Sequence, residues 1–246
     1  MRFFVAIDDT DNLESRGTGF RAREMGRLIV EQGIGDVESI SRHQLYVHEN
    51  IPYTSHNSSA CLIVNSDKYD ALQKLCSEYL IREAAEGSDA GLCIAREESI
   101  NEQVIDWGNR AKKVILCKED AHKLAKEKGI FLEGYTGTKI GVIGSLAAVG
   151  LRKAGNDGRS IWVKGKELRE ISGIFSGSEL KKISHIQVIK SVDDKLINDN
   201  ERIDVGNWLR PVIQNKEITV IVEKTKNNEN HEWQHVSKEF IKNISN

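Results

Sequence analysis

The chain is poor in proline and in paired cysteine, and it has no long hydrophobic run. Its two prolines stand at 52 and 211, both in stretches that read as loop or strand entry, so proline interrupts no expected element. The four cysteines, Cys61, Cys76, Cys93 and Cys117, are far apart. A structural zinc site draws on close cysteine or histidine pairs, and this spacing excludes one. Most of the cysteines lie inside apolar runs, such as Ala60 to Val64 and Val114 to Cys117, and read as buried thiols. No segment approaches the roughly 18 apolar residues that span a bilayer. Met1-Arg2-Phe3-Phe4 leads into an acidic loop rather than a signal-peptide core. These features place the protein in the cytoplasm with no membrane partner. Charge of one sign is scarce as well: the net value is −2, made of about −5 up to Val149 and +3 from Gly150 onward. That second half falls short of a basic nucleic-acid-binding domain and reads as solvated surface charge.

With 39% hydrophobic and 29% charged residues over 246 positions, the chain can bury one large core or two small ones. The most informative stretch is Phe3 to Asp11. An apolar strand there delivers Asp8, Asp9, Thr10 and Asp11 onto the loop that follows it. Mg²⁺ takes oxygen ligands, typically one or two carboxylates completed by water and phosphate. Three carboxylates crowded at a strand end repel one another, and a divalent cation relieves that repulsion. Arg16-Gly17-Thr18-Gly19 comes next, then a stretch with apolar residues at helical spacing. Strand, polar loop, glycine turn and helix is a phosphate-cradling order, since glycines let backbone N–H groups approach an anion at a helix N-terminus.

Val37 to Ser41 and Gln44 to Val47 read as short strands. The loop Asn50 to Ser59 is rich in hydroxyls and amides and contains His56, a candidate proton acceptor. Ser66 is the expected cap of a helix ending near Gly87, and Leu92 to Ala95 the next strand. Ser99 with Glu102 reads as a capping box, Lys113 to Cys117 as a strand, and 119–128 as a helix. A second glycine-rich segment, Gly134 to Leu151, lacks Walker A spacing. Its Thr136, Thr138 and Lys139 are candidates to meet phosphate. Gly141 and Gly144 permit close packing against a sheet or a ligand. Gly155-Asn156-Asp157-Gly158 marks a boundary, giving domains 1–156 and 157–246. In the second, 160–163, 186–189 and 217–223 read as strands, and 166–171 and 178–183 as short helices. The tail from Lys224 reads as a polar linker and terminal helix.

Several of these segments, in this order, resemble the archaeal isoleucine-tRNA agmatinylcytidine synthetase family: Ile7 to Asp11, the Gly17 turn, Asn50 to Tyr53, Asp89-Ala90-Gly91 and Ile143 to Gly150. The resemblance implies a kinase-like layered α/β domain followed by a smaller ferredoxin-like α+β domain. It further implies ATP with Mg²⁺, phosphorylation of the C2 oxygen of a wobble cytidine, and displacement of that phosphate by agmatine. Asp8, Asp9 and Asp11 carry over as metal and phosphate residues, with Thr10 beside them. Two stretches depart from the family pattern. Gly17-Thr18-Gly19-Phe20 replaces a Gly-x-Cys-Thr-Thr run, putting Phe20 where the family has a phosphorylated threonine. Thr54 to Ser58 replaces a basic stretch, leaving Arg16, Arg21 or Arg42 to supply a phosphate-binding arginine. The chain also ends before the family's OB-fold and zinc ribbon.

The resulting expectation is an α/β, Mg²⁺-dependent, ATP-binding phosphotransferase or ligase. Its catalytic set is Asp8, Asp9, Asp11 and His56, and its nucleotide contacts are Thr10, Arg16, Gly17, Thr18, Gly19, Thr138, Lys139, Gly141 and Gly144. The acceptor is a small molecule or RNA, and a homodimer is among the assemblies admitted. The alternatives are a tRNA-modifying enzyme that works with partner domains and a non-catalytic nucleotide sensor.

Overall fold

In a computed structural model, residues 1–51, 57–225 and 230–245 are described. Pro52 to His56 lie outside these residues, so the His56 assignment is carried no further. The chain divides into two compact units, Met1–Ala154 and Gly155–Asn246. It is a mixed α/β protein, and among the described residues no helix is long and apolar enough to cross a membrane.

Unit 1 is built on an antiparallel sheet in the order β5 (Phe131–Gly134), β4 (Gly91–Arg96), β1 (Arg2–Asp8), β3 (Ser58–Asn65), β2 (Asp36–Gln44). The central strand β1 is apolar on both faces because both are covered. Alternation along it sends Phe4 and Ala6 to one side, where Cys61, Ile63, Cys93 and Ala95 meet helices α3 (Glu102–Ala111), α4 (Lys118–Glu127) and α5 (Gly141–Ala154). Ala6 sits opposite Cys61 on one neighbour and Cys93 on the other. α1 (Thr18–Glu31) packs on β2 and β3, with Gly26 against Ile40 and Leu62 and α2 (Tyr69–Glu83) beside it. Full burial of Phe3, Phe4, Val5 and Ile7 contributes about 1.5–3 kcal/mol each. That gain offsets the cost of the charged loop the strand carries.

Local signals were redistributed in several places. Of the two strands expected over 37–47, Val37 to Ser41 falls inside β2, whereas Leu45 to Val47 lie beyond its end at Gln44 and are not strand. Lys113 to Cys117 is not a strand: Val114 and Ile115 are exposed, and Cys117 is the exposed residue that precedes α4. The run's Val114, Ile115 and Leu116 line a cavity instead of joining the sheet. The Ser99 capping box is not formed either. Glu97–Ser99 is a short 3₁₀ turn, and Asn101 caps α3 by accepting from Gln103 N and Val104 N. Ser66 does not cap α2. Its hydroxyl donates to Ile34 O at 2.6 Å and accepts from Lys68 N at 3.0 Å, one turn before the helix begins.

Unit 2 is a strand-rich α+β body. β6 (Arg159–Val163), β11 (Val212–Gln214), β12 (Glu217–Lys224), β13 (Trp233–His235), β10 (Arg202–Asp204) and β8 (Ile174–Ser176) are neighbours in that order. β7 (Lys166–Glu167) joins β6, and β9 (Val188–Ser191) runs parallel to β12. The expected helix over 166–171 is β7 plus a 3₁₀ turn at Leu168–Glu170. α6 (Gly177–Ser184) begins with a true capping box, Ser176 with Glu179. Leu180 of α6 seals a core with Ile189, Ile203, Val220 and Val222. α7 (Lys238–Ser245) places Ile241 on Val212 and Ile221.

Candidate active site

The period-two alternation that buries Phe4 and Ala6 under α5 also sends Asp8, the last residue of β1, to that side. There it meets the two glycines of the first turn of α5, Gly141 and Gly144. A Cβ at Gly144 would overlap Asp8 Oδ2, and one at Gly141 would strike the Asp89 carbonyl. The small residues at the start of α5 thus make room for a carboxylate and for the β4 backbone. Asp9 follows with φ 49°, in the left-handed region that Asp and Asn tolerate best among residues with a side chain. This turns the chain sharply away from the sheet.

The loop then folds back on the start of α1. Thr10 is fully buried and donates its hydroxyl hydrogen to Thr18 Oγ1 at 3.1 Å. Thr18 donates both its backbone N–H and its hydroxyl to Asp11 Oδ1, at 3.1 and 2.7 Å. The remaining loop is locked by Asn12, whose side-chain oxygen accepts from Glu14 N and Ser15 N. Asp11 and Thr18 are therefore one unit, a carboxylate gripping a hydroxyl at a helix N-terminus.

A cavity of about 220 Å³ opens over this arrangement. Asp8, Asp9, Asp11 and Thr18 form one wall, and Gly141, Ile143 and Gly144 of α5 a second. Leu45, Ile115 and Leu116 supply apolar surface, and Asn50, Asn57 and Ser58 a polar rim. Asn57 holds that rim: its carbonyl accepts from Leu45 N at 2.9 Å, and its amide donates to Tyr46 O at 2.6 Å. The run expected to be a strand, Lys113 to Cys117, instead contributes cavity surface through Val114, Ile115 and Leu116.

Electrostatically, Asp8 and Asp9 face other carboxylates. Burial, then the charges of Asp9 and Asp11, hold the Asp8 carboxyl well above the carboxylate range. Burial, then Asp89 and Asp11, push Asp9 up to about 6. Among the described residues, every charged group acting on these two is another carboxylate. Asp89 is the residue that sequence reasoning left out of the site. Its Oδ1 accepts from the backbone N–H groups of Thr138 and of Lys139, the latter at 3.1 Å, and its carbonyl accepts from Gly141 N at 2.9 Å. It fixes the second glycine-rich loop against the first. The available signal was a lone carboxylate in the Gly87 to Gly91 turn just before β4.

The other expected contacts are placed differently. Among the described residues, Arg16, Gly17, Gly19, Thr138 and Lys139 stand outside the cavity wall. Arg16 stacks on Phe20 at 4.4 Å, and the Gly19 carbonyl accepts from Arg23 at 2.8 Å. Of the arginines considered for phosphate, Arg21 pairs with Glu83 at 2.9 Å and Arg42 donates to Ser58 at the rim at 2.8 Å. Nor do the three aspartates form a closed metal cage. Among the described residues no three His, Cys, Asp or Glu side chains converge on one point, and Asp11 Oδ1 is taken by Thr18. Asp8 and Asp9 remain, which suits a hard cation that keeps water and phosphate ligands.

No protein-family model and no curated protein sequence matches the chain. Solved structures do. One is apo TiaS, a tRNA agmatidine synthetase, at 25% identity with a TM-score of 0.53 over 61% of this chain and 35% of that one. A TiaS complex with its tRNA and ATP matches at 26% identity and 0.54 over 61% and 36%. A tRNA fluorescent labeling enzyme gives the same values. The fold is TiaS-like. The chain spans about a third of the length of these TiaS structures.

Proposed function

We propose that unit 1 binds ATP with a divalent cation and that the protein is an ATP-using phosphotransferase acting on RNA, of the tRNA-modifying kind. The observation that carries this reading is the Asp8–Asp9 pair: two carboxylates in one cavity wall, driven above their usual range, whose charged neighbours among the described residues are carboxylates. Asp8 and Asp9 would hold a divalent cation, and its charge would offset that repulsion and the negative charge of the phosphates. The first turn of α5 favours the phosphates, and the surface of Leu45 and Ile115 accepts a flat apolar base. RNA as the acceptor class is supported by solved TiaS structures that contain tRNA with ATP or with AMPCPP and agmatine.

Phe20 at the position of the family's phosphorylated threonine does not empty the site of hydroxyls. Thr18 lines the cavity with its hydroxyl on Asp11. In the proposed step Thr18 Oγ1 attacks the terminal phosphorus of ATP, its proton passes to Asp11 Oδ1, and the bond to ADP breaks. The cation, when bound, neutralises charge on the phosphates.

Calorimetric titration of ATP with Mg²⁺ and again with EDTA tests the binding half. Saturable binding lost in EDTA is expected, and no binding in either condition overturns it. Intact-mass measurement after incubation with ATP tests the transfer half. One added phosphoryl group in the wild type and none in Thr18→Val is expected. Equal labelling of both proteins removes Thr18 from the chemistry.

A further inference from the structure

Four arginines of this chain are neutralised locally: Arg2, Arg21, Arg27 and Arg82 each pair with a glutamate. Unit 2 contains an exception. Arg159 opens β6, Arg169 lies in the 3₁₀ turn at Leu168–Glu170, and Arg210 lies just before β11. Among the described residues none of the three forms an ion pair. Two of them stack on one indole instead, with the Arg210 guanidinium 4.4 Å and the Arg169 guanidinium 5.3 Å from the Trp208 ring centroid. Arg159 is close enough for its charge to act on Arg210, and that of Arg169 to act on Arg159.

The segment that carries Trp208 and Arg210 is firmly held. Leu209 and Pro211 are buried, so alternation turns Trp208 and Arg210 the other way. Leu209 N donates to Ile171 O at 3.0 Å, the Pro211 carbonyl accepts from Ser160 N at 3.0 Å, and Arg210 N donates to His235 Nε2 at 3.2 Å. Stacking on the indole satisfies the flat face of a guanidinium and leaves its N–H edge to other acceptors, of which Arg210 Nη1 has one, the Trp208 carbonyl at 3.3 Å. Among the described residues, Arg210 Nε and Trp208 Nε1 are enclosed donors without a partner. The charges that act on Arg210, beyond its burial, are those of Arg159 and Arg169. Like charges held together with unused donors call for an anion, and a planar fork of N–H groups matches phosphate.

We infer that Arg159, Arg169 and Arg210, gathered beside Trp208, form a phosphate-binding surface on unit 2 that takes the backbone of single-stranded RNA. The choice of RNA over free phosphate rests on the proposed function, whereas the anion chemistry rests on unit 2 alone. Guanidinium groups beside an indole are the combination that tracks a flexible phosphodiester chain without reading its sequence.

The test uses the full chain and a fluorescently labelled single-stranded oligouridylate, followed by anisotropy across a salt series. The expected result is binding that weakens with salt. In Arg169→Gln/Arg210→Gln, affinity falls by about tenfold or more and the slope of log K against log salt shrinks by about 1.4, near 0.7 for each phosphate no longer neutralised. Arg169→Gln alone, at an exposed position, gives about half that slope change and guards against misfolding of the double variant. Wild-type affinity and slope in both variants overturn the assignment. RNA that fails to bind while inorganic phosphate binds saturably, and is lost in Arg169→Gln, also overturns it in favour of a small anion. ATP calorimetry on the same proteins keeps the two proposals apart, because these variants are expected to leave Mg²⁺-dependent ATP binding unchanged.

Discussion

Replacing Asp9 with Asn should stabilise the protein while destroying the cation site. Asp9 has a left-handed backbone, φ 49°, which Asn adopts as readily, so the turn is preserved. The Asn carbonyl can still accept the Asp89 backbone N–H that Asp9 accepts. What disappears is the charge. A carboxyl raised from 3.8 to about 6 in the folded state binds more protons folded than unfolded throughout that window. Its ionised form therefore destabilises the fold, fully above pH 6 and not at all below 3.8. The displacement corresponds to at most about 3 kcal/mol. Solvent around the partly exposed carboxylate reduces this to about 1–2 kcal/mol. For a unit of this size that is a rise of about 2–8 °C in the melting transition of unit 1 at pH 7. Calorimetric scans of wild type and Asp9→Asn at pH 7 and pH 5 measure it. The variant should melt higher at pH 7, the gap should narrow at pH 5, and Mg²⁺-dependent ATP binding should be lost. A variant that melts no higher at pH 7 and still binds ATP would refute the reading of Asp9 as an uncompensated charge awaiting a cation.

Gly144→Ala puts a methyl group onto the Asp8 carboxylate and Leu45; it should cost about 1–3 kcal/mol in a urea melt and abolish ATP binding, whereas wild-type behaviour would show that α5 shifts freely. Asp89→Ala leaves the N–H groups of Thr138 and Lys139 without their acceptor and removes one anion facing Asp9. Faster tryptic cleavage at Lys139 is expected, with the pH dependence of unit 1 moved toward lower pH; unchanged cleavage would argue against Asp89 as the clamp. Unit 2 should respond to acid in the opposite sense to Asp9. Burial, and the Arg210 charge, depress the His235 pKa below 6.5, so the folded state binds fewer protons and stability falls as pH drops through 6.5. Scans between pH 8 and 5.5 should show the unit 2 transition falling in the wild type and flattening in His235→Gln.

How much of the site was legible followed from how local each signal was. The order of strand, acidic loop, glycine turn and helix from Phe3 to Glu31 could be read because each step is set by neighbours in sequence. Alternation along β1, a run of Asn and Asp that cannot continue a strand, and helical spacing after Gly17 are all local. The same loop gave Asp8, Asp9, Asp11 and Thr18, which the structure brings to one cavity with Gly141 and Gly144 of α5. The reading of 113–117 as a strand failed because apolar residues that line a cavity have the composition of apolar residues that fill a sheet.

The sequence by itself determined which residues carry charge at the end of β1 and that small residues start α5, since both are written in consecutive positions. Only tertiary structure decided that Asp8 lies against Gly144, that the Thr18 hydroxyl sits on Asp11 in the cavity wall, and that Asp89 holds the Lys139 backbone N–H. It likewise decided that Arg169 and Arg210, far apart along unit 2, stack on one indole within reach of the Arg159 charge. Burial, mutual repulsion and the absence of a partner are properties of space around an atom. A chain read in one dimension gives the atoms; the packing of β1, β4 and α5 sets the distances that make their charges unusual.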